Sequence, residues 1–310
     1  MSEVGHSPAR RLLREFARWA GLIPPVPGYR RPPSGRFGRA RVALVTIIDE
    51  EFAAAQKIFG VHENVPGTGY FVAEAPNRKE WDVALMQATD RSNVPVMGDV
   101  LALMEDLRPQ IIILVGIAGG LCDDDVGRDG IKPGDVLIAD QVTYVEFLKL
   151  KPGVGPLMRS YAIDHPSVPL RKSVATPIQK TFSLANHLDE IDFGETDRPG
   201  NGTFKIYIGN IVSGEKVYGD VQSHVQKQLL KPFDKAMAVD MESIGMARAV
   251  CDGRSSFWYH PRYAVIRGIS DLVSAANNDD MRQDWKVFAA TAAALVAFEF
   301  VRRLPIDVGV

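Results

Sequence analysis

The chain has 310 residues, 46% of them hydrophobic and 24% charged, with a formal net charge of −2. That is the make-up of an ordinary soluble globular protein, long enough to bury a substantial core in one large α/β domain or two small ones. The near-neutral balance excludes a global electrostatic argument for nucleic acid or membrane as partner. Charge is unevenly spread, however: residues 1–41 hold nine Arg against Glu3 and Glu15, about +7, which leaves about −9 for the rest. Two cysteines, Cys122 and Cys251, make no disulfide framework, and His62, His165, His187, His224 and His260 show no ligand spacing, so no metal and no cofactor is expected. The acidic loop Asp123–Gly130 has Gly127 fifth and Gly134 twelfth, where a calcium loop needs Gly sixth and Glu twelfth. No signal-peptide core is visible, and the longest apolar run, Phe288 to Phe298, is too short to span a bilayer. A cytoplasmic protein is the expectation.

Residues 1–40 read as a basic arm. An amphipathic helix over 8–21 puts Leu12, Leu13, Phe16 and Trp19 on one side, and a Pro/Gly/Arg linker runs from Pro24 to Gly38. Its apolar side would pack on the main domain or a second subunit; anionic lipid is the alternative. Residues 41–310 then read as one catalytic domain in which strands and helices alternate. Strands are predicted at Arg41–Ile48, Trp81–Gln87, Ile111–Val115, Asp135–Val145, Phe204–Ser213, Ala236–Asp240 and Arg262–Gly268. Helices are predicted from Asp49 to about Phe59, Val96 to Leu107 and Trp285 to Arg303. The Pro- and Gly-rich stretch Lys149–Pro177 is an excursion that could cover a site. Such alternation implies a largely parallel sheet with helices on both faces.

Three carboxylates stand just past predicted strand ends: Glu51, Glu242 and Asp271. Each alone reads as a capping or surface residue. In a parallel sheet those ends gather at one edge, where ligands sit, so three distant acids could line one cleft. The apolar flanks of Asp271 predict a raised pKa and a carboxyl able to donate a proton. Gly116-Ile117-Ala118-Gly119-Gly120 reads as a turn letting backbone approach a ligand; its glycines have neither dinucleotide nor phosphate-loop spacing.

Four motifs in order, Gly116–Gly120, Ser213-Gly214-Glu215-Lys216-Val217, Val239-Asp240-Met241-Glu242-Ser243 and Ile266-Arg267-Gly268-Ile269-Ser270-Asp271, make the chain resemble the nucleoside phosphorylase/nucleosidase superfamily over about residues 41–303. Trp285–Ala294 further resembles the version found as an effector in immune-type NTPase and phage-defence systems. The resemblance implies a three-layer α/β fold with a central, mostly parallel or mixed sheet flanked by helices. It implies cleavage of a purine N-glycosidic bond, with Asp271 as the acid at N7 of the base and Glu51 activating water. Glu242 would accept from the ribose hydroxyls, Met241 would pack on the sugar, Val217 and Tyr218 would lie near the base, and Ala118, Gly119 and Ser270 are further substrate-binding candidates. Relatives form dimers or larger rings, which implies a homo-oligomer. The phosphorolytic branch places Arg and Ser or Thr where this chain has Leu114 and Ile117. An apolar pair cannot hold a phosphate nucleophile, so hydrolysis is the expected reaction. A phosphorylase and a catalytically silent nucleotide sensor remain the alternatives. Ile48 replaces the family's Met at the 5′ end, and Arg91, Lys149, Lys216 and Arg267 could face a 5′-phosphate, or be solvated surface charges. Two or more at that end would favour AMP or ATP as substrate, fitting a defence effector.

Overall fold

The computed structural model describes residues 35–73, 80–121, 130–151, 155–158, 162–163, 204–217, 219, 223–253, 259 and 261–304. The predicted arm helix, Cys122, most of the acidic loop and most of the Lys149–Pro177 excursion lie outside the described residues. Along the described chain run β1 (Arg39–Thr46), α1 (Asp49–Phe59), β2 (Glu63–Asn64), β3 (Phe71–Val72), β4 (Glu80–Gln87), α2 (Asn93–Leu107), β5 (Ile111–Gly120), β6 (Val136–Tyr144), β7 (Leu148–Lys151), β8 (Gly155–Met158) and β9 (Ala162–Ile163). β10 (Ile206–Ser213), α3 (His224–Leu230), β11 (Ala236–Asp240), α4 (Ser243–Gly253), β12 (Arg262–Leu272) and α5 (Asn278–Arg302) complete it.

Apolar runs buried on both faces make near-continuous Val/Ile/Leu strands, and Ile111–Val115 in β5 and Ala264–Ile266 in β12 are buried throughout. The ten-stranded sheet runs β11-β10-β6-β12-β5-β1-β4-β3-β2, with β9 added to β6. The pairs β4–β1, β1–β5, β5–β12, β6–β10 and β10–β11 are parallel, as alternation predicts. Besides the short edge strands β2, β3 and β9, which pair antiparallel, two pairings between long strands depart from it. β12 runs antiparallel to β6, and β11 meets Gly119–Gly120 of β5 antiparallel, so β5, β12, β6, β10 and β11 close into a ring. The sheet is therefore mixed.

Two helix pairs flank it: α1 with α5, and α2 with α4. α5 buries Ala289, Ala290, Ala292, Ala293, Ala294 and Ala297, small side chains that bring it close to β12. At Gly268 a Cβ would stand 2.0 Å from the carbonyl oxygen of Ala289. The apolar run from Phe288 thus faces the core over Phe288–Ala294, Val296 and Ala297, with Phe298 exposed, and no helix among the described residues is long and apolar enough to cross a membrane.

Two local expectations change. Gly116–Gly120 is not a turn; β5 continues through it, and none of these glycines has positive φ. Asp271 lies inside β12 rather than beyond it, at a register shift between Ile269 and Asp271. A bulge of that kind re-aims a side chain.

Candidate active site

Glu51 is the third residue of α1, and its carboxylate turns back on the chain before it. One oxygen accepts from Ile47 N at 2.7 Å and Ile48 N at 3.2 Å, while the other accepts from Ile117 N of β5 at 2.8 Å. Only 3% of it is exposed. Burial pushes its carboxyl above the usual range, against the Arg267 charge and those three N–H donors. Glu242 lies in the two-residue link between β11 and α4. Burial, opposed by Arg267 and reinforced by the charges of Asp240 and Glu51, pushes its carboxyl up to about 7.

Arg267 is placed differently from both alternatives read in the sequence. It is neither a surface charge nor a phosphate contact on the cavity wall. β12 carries it fully buried, with Nε and Nη2 on Asp240 Oδ2 at 2.9 and 2.7 Å and Nη2 on Glu242 Oε2 at 3.1 Å. Nη1 lies 3.9 Å from Glu51 Oε1 and has no hydrogen-bond acceptor among the described residues. One guanidinium thus faces three carboxylates, and an ion cluster so placed fixes geometry more than it adds stability. Gly116 makes room for it: a Cβ there would meet Arg267 Nη1 and Glu51 Oε1, both at 2.3 Å.

Asp271 is 1% exposed. It accepts from Ser270 Oγ at 2.6 Å and from Arg282 Nε and Nη2 at 3.1 and 3.3 Å. The sequence reading missed Arg282. The apolar surroundings expected for Asp271 therefore include a guanidinium, delivered by the first turns of α5. The available signal was the four-residue spacing of Arg282 and Lys286, which puts both on one helical face.

Glu51, Glu242 and Asp271 line one cavity of about 300 Å³, near the lower end for small-molecule sites. Ala118, Gly119, Val217, Met241 and Ser270 share its wall, as do Arg91, Lys216, Arg282 and Lys286. Ile48 and Ile117 line it as well, whereas Leu114 is fully buried and not on its wall. Tyr218 lies outside the described residues. Three of the four cations are engaged: Lys216 with Glu146, Arg282 with Asp271, and Lys286 with Glu50 at 2.6 Å. Among the described residues the Arg91 side chain has no such partner. No group of three or more His, Cys, Asp or Glu among the described residues could hold a metal ion.

Residues 91–302, more than half of the chain, match the family model of the phosphorylase superfamily. The chain belongs to that superfamily. It is similar to an ATP nucleosidase, Cap17, of Escherichia coli (strain KTE188), with 25% identity over 280 residues. That alignment covers 84% of this chain and 51% of the relative, so this superfamily member spans about half of that protein's length. Among solved structures it resembles the 5′-methylthioadenosine/S-adenosylhomocysteine nucleosidase of Neisseria meningitidis in complex with methylthio-immucillin-A, at 18% identity and a TM-score of 0.62, covering 86% of this chain and 100% of that one. It also resembles the futalosine hydrolase of Helicobacter pylori, at 17% identity and a TM-score of 0.61, covering 86% and 98%. These two likenesses establish the superfamily fold: a mixed sheet flanked by helices.

Proposed function

We propose that this superfamily member hydrolyses the N-glycosidic bond of an adenine nucleoside or nucleotide. The observation that carries this reading is the convergence of Glu51, Glu242 and Asp271 on one cavity. A water oxygen bonds to C1′ and gives its proton to Glu51, whose raised carboxyl suits a general base working nearer neutral pH. The C1′–N9 bond breaks, its electron pair leaves with the purine, and Asp271 supplies the proton at N7. Arg282 then neutralises the carboxylate that remains. In its ionised form Glu242 accepts from the ribose hydroxyls as a charged, and therefore strong, acceptor. The products are free adenine and the ribose, with whatever phosphate its 5′ carbon carried. Water is favoured over phosphate as nucleophile because Ile117 lines the wall with no side-chain donor and Glu51 would repel a dianion.

Arg91 supports the nucleotide form of the substrate. Its unengaged guanidinium on the cavity wall is a ready phosphate ligand, and the Escherichia coli relative is named for ATP. Depletion of adenine nucleotides is what a defence effector would use such chemistry for. The homo-oligomer implied by the resemblance and the cytoplasmic setting expected from the sequence belong to the same proposal. The deciding assay measures purine release from adenosine, methylthioadenosine, AMP and ATP, with and without inorganic phosphate. Phosphate-independent adenine release supports hydrolysis. Release that requires phosphate and yields ribose 1-phosphate overturns it, and release from none of the panel overturns the catalytic reading.

A further inference from the structure

Ser92 precedes α2 with φ 89° and ψ 158°, a region essentially reserved for glycine, which a side chain enters only where its surroundings hold it there. Its N–H donates to Glu242 Oε1 at 3.3 Å, and its hydroxyl donates to Glu215 Oε2. The next residue, Asn93, is buried and makes four hydrogen bonds at the same junction. Nδ2 donates to Gly214 O at 2.9 Å and Glu215 Oε1 at 3.0 Å. Oδ1 accepts from Ser213 Oγ at 3.2 Å and Gly245 N at 2.9 Å. Two consecutive residues thereby tie the β4–α2 loop to the segment after β10 and to α4. That segment runs on into Lys216 and Val217 on the cavity wall, and α4 begins one residue after Glu242. The approach is close: a Cβ on Gly245 would stand 2.1 Å from Asn93 O.

We propose that Ser92 and Asn93 are positioning residues that aim the Glu242 carboxylate at the ribose by locking the β4–α2 loop onto Glu215. The proposal rests on the ribose role given to Glu242 above. Arg267 holds Oε2 from within the protein, and the Ser92 N–H holds Oε1. With both oxygens anchored, the carboxylate cannot swing as a side chain with free rotors would, and a charged acceptor already in place binds more tightly than one that must be ordered. The charged groups facing Glu242 are Arg267, Asp240 and Glu51; the neutral donors are the Met241 N–H, on Oε2 at 3.4 Å, and the Ser92 N–H, on Oε1, which favours the ionised form. Glycine would take this backbone conformation without strain, but it would lack the hydroxyl that donates to Glu215 Oε2.

The test uses the full chain carrying Ser92→Ala, Ser92→Gly, Glu215→Ala or Glu215→Gln, all at positions outside the buried core. Two readouts are needed. Carboxyl-carbon NMR follows the titration of Glu242, and calorimetry compares binding of adenine with that of a C-nucleoside analogue of adenosine, whose carbon–carbon link resists hydrolysis. In Ser92→Ala and Glu215→Ala the Glu242 titration is expected to move upward. The preference for C-nucleoside over adenine is expected to fall about tenfold, the scale of one charge-assisted hydrogen bond. Glu215→Gln, which keeps an acceptor oxygen, restores both. Ser92→Gly is expected to melt a few degrees above Ser92→Ala, since both lack the hydroxyl and only glycine relieves the backbone. A Glu242 titration unmoved in both alanine variants overturns the clamp, whatever the protein hydrolyses. Equal losses for adenine and C-nucleoside also overturn it, because they describe a loosened base wall. If the titration moves but wild type binds the C-nucleoside no better than adenine, the ribose role of Glu242 falls.

Discussion

Glu51 and Asp271 are each nearly sealed from solvent, yet their neighbours differ. Backbone N–H groups surround Glu51 on both oxygens, whereas Asp271 faces a hydroxyl and a guanidinium. Glu51→Gln keeps the shape but cannot take a proton, and Asp271→Asn keeps a hydrogen-bonding group but cannot give one up. Each is expected to lower kcat by roughly 10²–10⁴ with the fold retained, as loss of general acid–base catalysis does; steady-state kinetics and circular dichroism check the two halves of that statement. Because burial raises the Glu51 carboxyl, the ascending limb of the pH profile should lie above the ordinary carboxylate range. The three acids were legible because each follows an apolar strand run. Arg267 and Arg282 were not. Arg267 sits within the apolar stretch Val265–Ile269, and the three carboxylates that explain it come from other elements. Arg282 sits in the polar stretch Asn278–Asp284, which carries no apolar period to mark a helix.

That stretch is also where element reading fell short. α5 begins at Asn278, not Trp285, because its first two turns face solvent and the cavity and hold no hydrophobic stripe. α3 and α4 were not read at all: α3 buries no residue, and α4 opens Ser-Ile-Gly-Met, a weak start by propensity. Glycines read as turns, so the sequence ends β5 at Val115; in the fold they stay extended and admit neighbouring side chains. The close contact of α5 with β12 makes a test at this scale. Gly268→Ala would drive a methyl onto the Ala289 carbonyl oxygen, forcing the helix away at a cost of about 1–3 kcal/mol. Arg282 and Lys286 ride on that helix, so activity should fall with stability. Gly69→Ala, where a Cβ meets nothing within 4 Å, is the control and should leave Tm and turnover unchanged. Urea melts of both variants decide it.

For the molecule as a whole, the buried acids make stability depend on pH. Glu242 ionises at about 7 in the folded chain against 4.5 as its ordinary value, and Glu51 is raised in the same sense. The native state then holds protons that the unfolded chain has already lost. The stabilisation is complete below about pH 4.5 and is lost as pH rises through the folded value near 7. Apart from other groups, Tm should therefore decline across that interval, and Glu242→Gln should flatten the decline; scanning calorimetry at several pH values measures both. Alternation of strands and helices made the α/β architecture legible at this scale. The antiparallel joins of β12 to β6 and of β11 to β5 escaped it, because which strands lie side by side depends on contacts between segments far apart in sequence.

Ring closure has a consequence for self-association. One flank of the sheet ends on itself where β11 returns to β5, and the other ends in β2 and β3, two residues each. Short termini of that kind give a foreign strand almost no backbone to zip onto. Among the described strands of the main sheet, then, neither terminal strand is long enough to template open-ended fibre growth.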